Sequence, residues 1–288
     1  MAIIKQLTLI GVGLIGGSLA RALRASGQVQ EVIGFGRNLA NLQQAVDLGV
    51  IDRIETSMAR AVGDADMVVL ASPVGAMAGL FSEMAPYILD KTIITDVGSV
   101  KGSIVDAARA ALGVRFRNYV PGHPLAGREK SGVAASVADL FQGQRVILTP
   151  LAETDAFALA AVDSMWRAAG AEIITMSAIE HDEILAATSH LPHLLAYLLV
   201  DLLAHEPVER QMFDFIGNGF RDMTRIAASD PVMWRDIGLA NRTAILQALG
   251  GYRADLDALV AALERGDAAY LEVFFTRARQ ARRGIDPK

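Results

Sequence analysis

The sequence predicts an α/β fold in its N-terminal part and an all-helical fold in its C-terminal part. Short runs rich in β-branched residues alternate with helical patterns up to about Ser177. Several of these runs are continuously apolar, as expected for parallel strands buried on both faces of a sheet. After Ser177 no convincing strand follows, and helical patterns continue to the end. We therefore expect a doubly wound, mostly parallel sheet over residues 1–177 and a helical domain over residues 178–288.

The N-terminal part reads as strands that are mostly separated by helices. The strands are predicted at Gln6–Ile10, Glu31–Phe35, Met67–Ala71, Thr92–Thr95, Arg117–Val120, Arg145–Thr149 and Glu172–Met176. The helices are predicted at Leu14–Ser26, Leu39–Leu48, Val74–Tyr87, Lys101–Leu112 and Thr154–Ala169. This alternation is typical of βαβ units, in which each crossover helix covers one face of the sheet.

The C-terminal part reads as a series of helices. They are predicted at Ile179–His205, Val208–Phe220, Pro231–Leu249, Tyr252–Arg265 and Asp267–Arg283. Leu256, Leu259, Val260 and Leu263 repeat at the spacing of one buried helix face. Because a helical part of this size cannot easily bury every apolar face alone, we expect a homodimer formed through it.

Composition indicates a globular chain from a reducing compartment. The 288 residues are 52% hydrophobic and 20% charged, which excludes a disordered chain. No cysteine is present, so disulfides, thiolate zinc sites and a cysteine nucleophile are excluded, and we expect no metal site. The absence of cysteine also suits a reducing compartment.

No segment of the sequence is expected to enter a membrane or to bind nucleic acid. The apolar run Leu7–Ala22 contains four glycines and lacks a basic leader, and Leu191–Leu203 is too short to span a bilayer. The net charge is −5, and the arginines of Arg277–Arg283 read as a solvated last helical turn that complements the helix dipole. We therefore expect a cytoplasmic protein.

A glycine-rich motif follows the first predicted strand and opens the first predicted helix. It consists of Gly11, Val12, Gly13, Leu14, Ile15 and Gly16. The first glycine permits a tight turn, the second lets the backbone approach a pyrophosphate, and the third lets helix and strand pack closely. The helix N-terminus offers free N–H groups to the phosphates. In this strand–turn–helix context the motif predicts a Rossmann domain that binds a nicotinamide dinucleotide.

The turn after the second strand predicts which dinucleotide is preferred. An NAD-binding Rossmann domain usually carries a carboxylate here, which accepts hydrogen bonds from the ribose hydroxyls. This chain has Gly36 and Arg37 instead. Gly36 leaves room, and Arg37 can pair with a 2′-phosphate. We expect NADP to be preferred and NAD to be possible, the alternative being that Arg37 is only a solvated loop residue.

Ser72 and Pro73 end the third long strand of the predicted sheet. Ligands of doubly wound sheets bind at the carboxyl ends of the strands, so the backbone at this turn is expected near the cofactor. For the side chain of Ser72, a simple strand-terminating turn is almost equally consistent with the sequence.

Polar clusters stand out at Asp96–Lys101, Gly122–Gly127 and Thr188–His193. The first two follow strands, so both are expected at one sheet edge, where a substrate would face the nicotinamide. His123 is flanked by glycine and proline, which predicts a rigid turn. A histidine held in this way beside a dinucleotide site is a candidate general base.

A fourth cluster lies in the helical part, over Phe220–Ala227 and Ser229–Trp234. It contains Arg221 and Arg225, and arginine is suited to bidentate binding of a carboxylate. The alternative for either arginine is a salt bridge with a neighbouring aspartate. We expect one of the two to be structural.

Taken in this order, the dinucleotide motif and the stretches Asp96–Lys101, His123–Gly127, Ser189–His193 and Thr224–Trp234 resemble the prephenate/arogenate dehydrogenase (cyclohexadienyl dehydrogenase) family of tyrosine biosynthesis. The resemblance covers nearly the whole chain. His-Pro-Leu-Ala-Gly and Asp-Pro-Val-Met-Trp-Arg-Asp are rather specific to that family. The fold that it implies is a Rossmann domain followed by a helical dimerisation domain.

The resemblance implies oxidative decarboxylation of a cyclohexadienol, arogenate or prephenate. Hydride leaves the ring carbon that bears the hydroxyl and goes to the nicotinamide, the ring carboxylate leaves as carbon dioxide, and the ring becomes a phenol. The protein must hold the ring carbon at hydride-transfer distance, accept the hydroxyl proton and anchor the carboxylates.

The resemblance also assigns roles to individual residues. It implies that His123 is the catalytic histidine, which bonds the ring hydroxyl, and that Ser99 bonds the same hydroxyl and orients the histidine. Arg225 matches an arginine that binds a substrate carboxylate. His193 matches a second active-site histidine and Trp234 an aromatic residue near the pocket, although His193 could instead be a helix-packing histidine, as could His190.

Arg128 departs from the family pattern, because many relatives have a small hydroxyl residue after the glycine. Its guanidinium could pair with a substrate carboxylate, with the region of the 2′-phosphate, or only with the surroundings of Glu129. No residue decides between the pyruvyl side chain of prephenate and the alanyl side chain of arogenate. The NADP-type turn favours arogenate by association with some family members.

Other interpretations of the same sequence remain open. A β-hydroxyacid dehydrogenase or imine reductase would have the same two-domain build, but such enzymes usually carry a catalytic lysine or another helix-borne group in the second domain. A non-catalytic NADP-sensing protein would be expected to lack the polar residues at the sheet edge. A Rossmann domain with a purely structural helical tail is the third interpretation.

Overall fold

The computed structural model describes residues 4–128, 130–205 and 209–285. The strands are β1 (Ile4–Ile10), β2 (Val29–Phe35), β3 (Arg53–Glu55), β4 (Met67–Leu70), β5 (Ile93–Asp96), β6 (Tyr119–Val120), β7 (Gly122–Pro124), β8 (Arg145–Leu148) and β9 (Glu172–Thr175). Six of them form a parallel sheet in the order β3-β2-β1-β4-β5-β6. In the second sheet, β8 pairs antiparallel with β7 and parallel with β9.

The helices of the N-terminal half are α1 (Leu14–Ala25), α2 (Leu39–Asp47), α3 (Met58–Val62), α4 (Met77–Met84), α5 (Gly102–Leu112) and α6 (Ala156–Ala168). The helices that follow are α7 (Ala178–Leu185), α8 (Leu191–Ala204), α9 (Glu209–Asp214), α10 (Asn218–Thr224), α11 (Pro231–Ala240), α12 (Arg242–Glu264) and α13 (Ala268–Arg283). A π-helical turn, Ala186–His190, joins α7 to α8.

The six-stranded sheet is buried on both faces, as the apolar runs predict. Leu7 and Leu9 of β1 belong to a core that contains residues of α1 and α6. Val68 and Leu70 of β4 belong to a second core, which contains residues of α3, α4 and α5. Successive side chains of a strand point to opposite faces, so β4 contributes Met67 and Val69 to the first core and Val68 and Leu70 to the second. The predicted doubly wound parallel sheet is thereby confirmed.

Two short strands and one short helix are not predicted by the sequence. β3 and β7 have three residues each, and α3 has five. None of the three is long enough to show the hydrophobic period of a strand or helix. The consequence matters most for His123. The expectation that it lies in a rigid turn is wrong, because it is the central residue of β7, paired with Ile147 of β8.

Several predicted helices have different bounds in the structure. The predicted helix Val74–Tyr87 begins as a 3₁₀ turn and is α-helical only over α4. The predicted helix Ile179–His205 is interrupted by the π-helical turn. The first residue of the predicted helix Val208–Phe220 lies outside the described residues, and the remainder forms α9 and part of α10.

The boundary between α11 and α12 is at Asn241 and not at Gly250-Gly251, as the sequence predicts. The buried side chain of Asn241 donates a hydrogen bond to the carbonyl of Asp182, at 2.8 Å. This inward contact favours ending α11 here. α12 continues through the two glycines, since a glycine inside a helix costs only about 1 kcal/mol relative to alanine.

The chain divides into two compact units, Met1–Arg242 and Thr243–Lys288. The first contains both sheets and α1 to α11; the second contains most of α12 and all of α13. The boundary predicted after residue 177 stays a prediction. Among the described residues, one helical run, Ala178–Ala204, is long and apolar enough to cross a membrane by length and composition alone. Its buried polar residues His181, Asp182 and His190 are hydrogen-bonded within the first unit.

Candidate active site

The glycine motif forms a crowded turn with open space above its middle. Gly11 has φ +97° and donates its N–H to the carbonyl of Phe35. A Cβ on Gly11 would lie 2.6 Å from the carbonyl oxygen of Ala71, and a Cβ on Gly16 would lie 2.6 Å from that of Gly11. Gly13 has no such neighbour within 4 Å, and no side chain caps the N-terminus of α1. The turn therefore fits a pyrophosphate that approaches Gly13 and the first amides of α1.

Leu14 and Ile15 are the first two residues of α1, and both are partly buried against the core on the α1 side of the sheet. Ser72, at the end of β4, donates its hydroxyl to the carbonyl of Ile10, at 3.0 Å. This bond joins the carboxyl ends of β1 and β4, so the side chain of Ser72 stabilises the turn. Pro73, the next residue, is exposed.

The turn after β2 has open space at Gly36, next to the exposed side chain of Arg37. A Cβ on Gly36 would meet only Leu42, at 3.9 Å, and the side chain of Arg37 is exposed. Asn38 caps α2 by accepting a hydrogen bond from the N–H of Asn41. This arrangement is compatible with a phosphate beside Arg37 and supplies no carboxylate for a ribose.

A fully buried polar cluster lies beneath the ends of β5 and β6. Lys101 is ion-paired with Asp96 and donates to the carbonyl of Gly122, at 2.6 Å. Tyr119 donates its hydroxyl to Asp96, at 2.7 Å. Burial lowers the pKa of Lys101, although Asp96 opposes the shift, and burial together with the Asp96 charge raises the pKa of Tyr119 well above its ordinary value. The cluster fixes the backbone of Gly122, next to His123.

His123 belongs to a chain of three side chains. Its Nδ1 lies 2.8 Å from Nε2 of His181, and Nδ1 of His181 lies 2.8 Å from a carboxylate oxygen of Asp182. Asp182 also accepts the backbone N–H groups of Lys101 and Gly102, each at 2.8 Å. The N-terminus of α7 is thereby joined to the N-terminus of α5.

Burial, followed by the charges that His181, Lys101 and His190 can carry, holds the pKa of His123 well below its ordinary value. The imidazole is therefore neutral near pH 7, which is the state that a general base needs. Ser99 is partly buried in the turn after β5. Its expected role in orienting His123 stays a prediction, and the side chain that contacts Nδ1 of His123 is His181.

A cleft of about 560 Å³ is lined by residues from the loop after β7 and from the helical segment. Arg128 comes from that loop, and His193, Arg225 and Ser229 come from α8 and the turn after α10. Arg221, on α10, is not among the residues that line the cleft. The cleft therefore brings Arg128, His193 and Arg225 together, and two guanidinium groups on one cleft suit an anionic ligand.

His193 is held flat against Trp234, with ring centroids 3.9 Å apart and planes 23° apart. Its Nδ1 donates to the carbonyl of Ser189, at 2.8 Å, which leaves Nε2 as the acceptor in the neutral ring. Burial lowers the pKa of His193, and the nearby charge of Arg225 lowers it further. His193 is thus a fixed, neutral hydrogen-bond acceptor on the cleft.

His190 has the packing role that the sequence left as an alternative. Its ring is buried edge-on to Trp234, and Asn241 donates to its Nδ1, at 3.1 Å. Burial lowers the pKa of His190 to about 4. This histidine supports the wall of the site and is not one of the residues that line the cleft.

The loop that carries Arg128 is tied to the dinucleotide helix. Ser18 of α1 accepts the N–H of Val137, and Arg21 donates to the hydroxyl of Ser136, each at 3.0 Å. On the other side, Arg128 lies 3.9 Å from Asp139 in a weak exposed pair. The segment after His123 therefore returns to the start of α1, beside the predicted cofactor site.

Sequence reasoning missed the pair His181 and Asp182. They are neighbours at the start of a predicted helix, and nothing in their spacing shows that one faces β7 and the other α5. Reasoning also missed the partners within the Asp96–Lys101 stretch, which the polar cluster flagged only as a whole. The available signals were Asp96, which ends a buried strand, and Lys101, which precedes a helix. Their positions could have indicated an ion pair between them.

Two models of one protein family match nearly the whole chain. The prephenate dehydrogenase nucleotide-binding domain matches residues 19–175, and the prephenate dehydrogenase dimerization domain matches residues 177–277. Among curated proteins, the chain is 39% identical over 284 residues to a cyclohexadienyl dehydrogenase of Zymomonas mobilis, covering 98% of this chain and 96% of that one. It is 37% identical over 279 residues to a prephenate dehydrogenase of Bacillus subtilis, covering 96% and 75%.

Solved structures give the same result. A prephenate dehydrogenase from Aquifex aeolicus, in complex with hydroxyphenyl propionate and NAD⁺, superimposes with a TM-score of 0.92 at 37% identity, covering 98% of this chain and 99% of that one. An arogenate dehydrogenase from Synechocystis superimposes with a TM-score of 0.83 at 26% identity, covering 98% and 100%.

Proposed function

The chain belongs to the prephenate dehydrogenase family of NAD(P)-dependent enzymes of tyrosine biosynthesis, and we propose that it oxidises arogenate with NADP. Prephenate and NAD are the alternative substrate and cofactor. The observation that carries the proposed chemistry is His123, a neutral imidazole at the carboxyl edge of the dinucleotide-binding sheet. The loop that follows it contributes Arg128 to a cleft whose other arginine, Arg225, comes from the helical segment.

In the proposed reaction, His123 takes the proton of the ring hydroxyl. The O–H bond breaks as the hydroxyl carbon becomes a carbonyl carbon, and the bound nicotinamide supplies the acceptor for the hydride from that carbon. The bond to the ring carboxylate then breaks, its electron pair makes the ring aromatic, and carbon dioxide leaves. His123 can return its proton to the phenolic oxygen, so the overall reaction neither consumes nor releases a proton.

The cleft supplies the anchoring groups for this substrate. Arg225 is proposed to bind one carboxylate, and Arg128, on the opposite segment, to bind the other. His193 offers an acceptor at Nε2, and its stacking on Trp234 keeps that atom in one direction. An ammonium group on the side chain of arogenate would have a partner in such an acceptor, whereas the keto group of prephenate would not.

The cofactor preference rests on the turn after β2. Arg37 is the exposed cation there, Gly36 leaves open space, and neither residue can accept hydrogen bonds from ribose hydroxyls through its side chain. These features favour a 2′-phosphate. The amides at the start of α1, above Gly13, would hold the pyrophosphate of either dinucleotide.

We further propose that the chain is a cytoplasmic homodimer. The matched C-terminal family model describes a dimerization domain. Leu198 and Leu202 of α8 are 63% and 59% exposed, and Leu263 of α12 is 60% exposed, so these helices carry apolar surface that a second copy would bury. Sedimentation equilibrium at micromolar concentration tests this assembly; a single species of one chain mass would refute it.

An initial-rate assay of all pairs of substrate and cofactor tests the proposed function. Arogenate or prephenate is combined with NAD or NADP, and formation of the reduced cofactor is followed. The highest kcat/KM is expected for arogenate with NADP. Turnover of prephenate with NAD alone would support the family reaction but contradict the proposed preferences for arogenate and for NADP. No turnover with any pair would favour the NADP-sensing or β-hydroxyacid dehydrogenase interpretation.

A further inference from the structure

We propose that His181 and Asp182 are positioning residues that fix the tautomer of His123 and stabilise the imidazolium that forms when His123 takes a proton from the substrate. This inference rests on the proposed function, in which His123 is the base. Its starting observation is the chain of contacts from Nδ1 of His123 through the ring of His181 to the carboxylate of Asp182.

The direction of each hydrogen bond follows from Asp182. Burial alone would raise the pKa of Asp182, but the hydrogen bonds from His181 and from the amides of Lys101 and Gly102 lower it below its ordinary value. Asp182 is therefore an ionised carboxylate, which can only accept. It follows that Nδ1 of His181 carries a proton and donates it to Asp182.

The tautomer of His181 determines that of His123. A neutral imidazole has one donor and one acceptor nitrogen, so His181 with a proton on Nδ1 accepts at Nε2. Nδ1 of His123 must then be the donor across the 2.8 Å contact. The second nitrogen of His123, Nε2, is left with a free lone pair, which is the form that can remove a hydroxyl proton.

The carboxylate at the end of this chain is held rigidly. Two amides of the N-terminus of α5 donate to it, and a Cβ on Gly102 would lie 3.0 Å from one of its oxygens. The backbone carbonyl of Asp182 accepts from Asn241, on the opposite side of α7. Asp182 therefore has no freedom to leave His181, and the orientation of both histidine rings is fixed before substrate binds.

The same contacts act after proton transfer. When Nε2 of His123 takes the hydroxyl proton, the ring becomes a cation close to Lys101 and within a buried site. The Nδ1 proton of His123 stays directed at Nε2 of His181, and the Nδ1 proton of His181 stays directed at the ionised carboxylate of Asp182. These oriented hydrogen bonds stabilise the imidazolium until His123 gives its proton back, and Asp182 does not itself become protonated.

The tautomers can be measured directly because the chain contains only five histidines. In a two-bond ¹H–¹⁵N spectrum of the histidine-labelled protein at pH 7, His123 is expected to be protonated at Nδ1 and unprotonated at Nε2, and His181 to be protonated at Nδ1. Single substitutions assign the signals. Protonation of His123 at Nε2 in the folded protein would overturn the inference.

Activity of His181 variants gives an independent readout. His181→Phe removes the acceptor, so kcat is expected to fall by about 10²-fold or more, as for other bases held in the wrong tautomer. The KM for substrate and the Kd for NADP should stay nearly unchanged, since the side chain of His181 is fully buried. His181→Gln can accept through its amide oxygen and should recover part of the loss.

Glu180→Gln is the matched control, because Glu180 is exposed on the same helix turn and has no contact with His123. Its kcat should equal that of the unchanged protein. A His181→Phe variant that turns over at the unchanged rate would overturn the inference. If the unchanged protein oxidises no cyclohexadienol, the proposed function fails, whereas the spectrum still decides the tautomer of His123.

Discussion

At the scale of single residues, Arg37 is the group on which the proposed preference for NADP depends. Its guanidinium is exposed beside Gly36, at the turn that faces the adenosine ribose in this fold. A charge-assisted bond to a 2′-phosphate contributes about 1.5–3 kcal/mol. Arg37→Ala should therefore weaken NADP binding by about 10- to 100-fold, as measured by titration calorimetry. NAD is the internal control, and an equal loss for both dinucleotides would contradict the phosphate role.

Arg225 is the residue proposed to bind a carboxylate of the substrate. It lines the cleft opposite Arg128 and lowers the pKa of His193 by its charge. Arg225→Ala should chiefly raise the KM for the cyclohexadienol, by about 10- to 100-fold for the loss of a charged hydrogen bond. Arg221→Ala, on the exposed surface of α10, is the control and should leave KM unchanged. An unaltered KM in the Arg225 variant would remove that residue from the site.

Residues of the cofactor motif could be recognised from sequence because short-range spacing encodes their role. Gly11, Gly13 and Gly16 follow a strand and open a helix, and their crowding or openness in the structure matches that role. His181 and Asp182 could not be recognised in this way. The role proposed for them rests on contacts 58 and 81 residues away along the chain, with His123 and with the backbone of Lys101.

At the scale of structural elements, the ion pair of Lys101 and Asp96 joins β5, β6 and β7. Both members are fully buried, and Lys101 also donates to the carbonyl of Gly122, next to His123. Lys101→Met leaves Asp96 charged and buried, so the free energy of unfolding should fall by about 3–5 kcal/mol. Denaturant unfolding followed by circular dichroism measures this loss.

The exposed pair of Arg167 and Asp163 on α6 is the control for that measurement. Its members are 59% and 32% exposed, so Arg167→Met should cost less than about 1 kcal/mol. Equal losses in the two variants would mean that the buried pair contributes no more to stability than a surface pair.

The elements that the sequence predicts well are those with many residues in one period. The long strands β1 and β2 and the helices α1 and α6 lie within a few residues of their predicted bounds. β7 has three residues and contains a glycine and a proline, both of which indicate a turn, yet pairing with β8 makes it a strand. Tertiary contacts overrode the local signal at His123, the residue proposed to act as the base.

At the scale of the whole molecule, the buried neutral histidines make stability depend on pH. The folded-state pKa of His190 is about 4, below its ordinary value, because burial disfavours the charged ring. The unfolded chain binds the proton first as pH falls below about 6.5, so folding loses free energy between pH 6.5 and 4. His190 should account for a loss of about 2 kcal/mol between pH 7 and pH 5.

Denaturant unfolding at pH 7 and pH 5 tests this linkage. His190→Gln cannot titrate, so the variant should lose less free energy of unfolding over this interval than the unchanged chain. The unchanged chain, measured at the same two pH values, is the reference. The same pH dependence in both proteins would show that His190 does not titrate as the structure indicates.

The organisation of the whole chain was partly accessible from sequence. The sequence pattern changes from short β-type runs to helical periods near residue 177, which predicts a sheet followed by helices. The structure confirms this order. The compact units divide at Arg242, because Asp182 of α7 accepts the amides at the start of α5 and Asn241, which follows α11, donates to the carbonyl of Asp182. Such packing depends on side-chain contacts between distant segments, which no local pattern encodes.

The most direct test of the account is the turnover of His123→Asn, measured together with its affinity for NADP. Asparagine cannot take a proton at neutral pH, so kcat should fall by about 10²- to 10⁴-fold, whereas the Kd for NADP should be nearly unchanged. That pair of results would identify His123 as the base. Undiminished turnover in the folded variant would contradict the central claim.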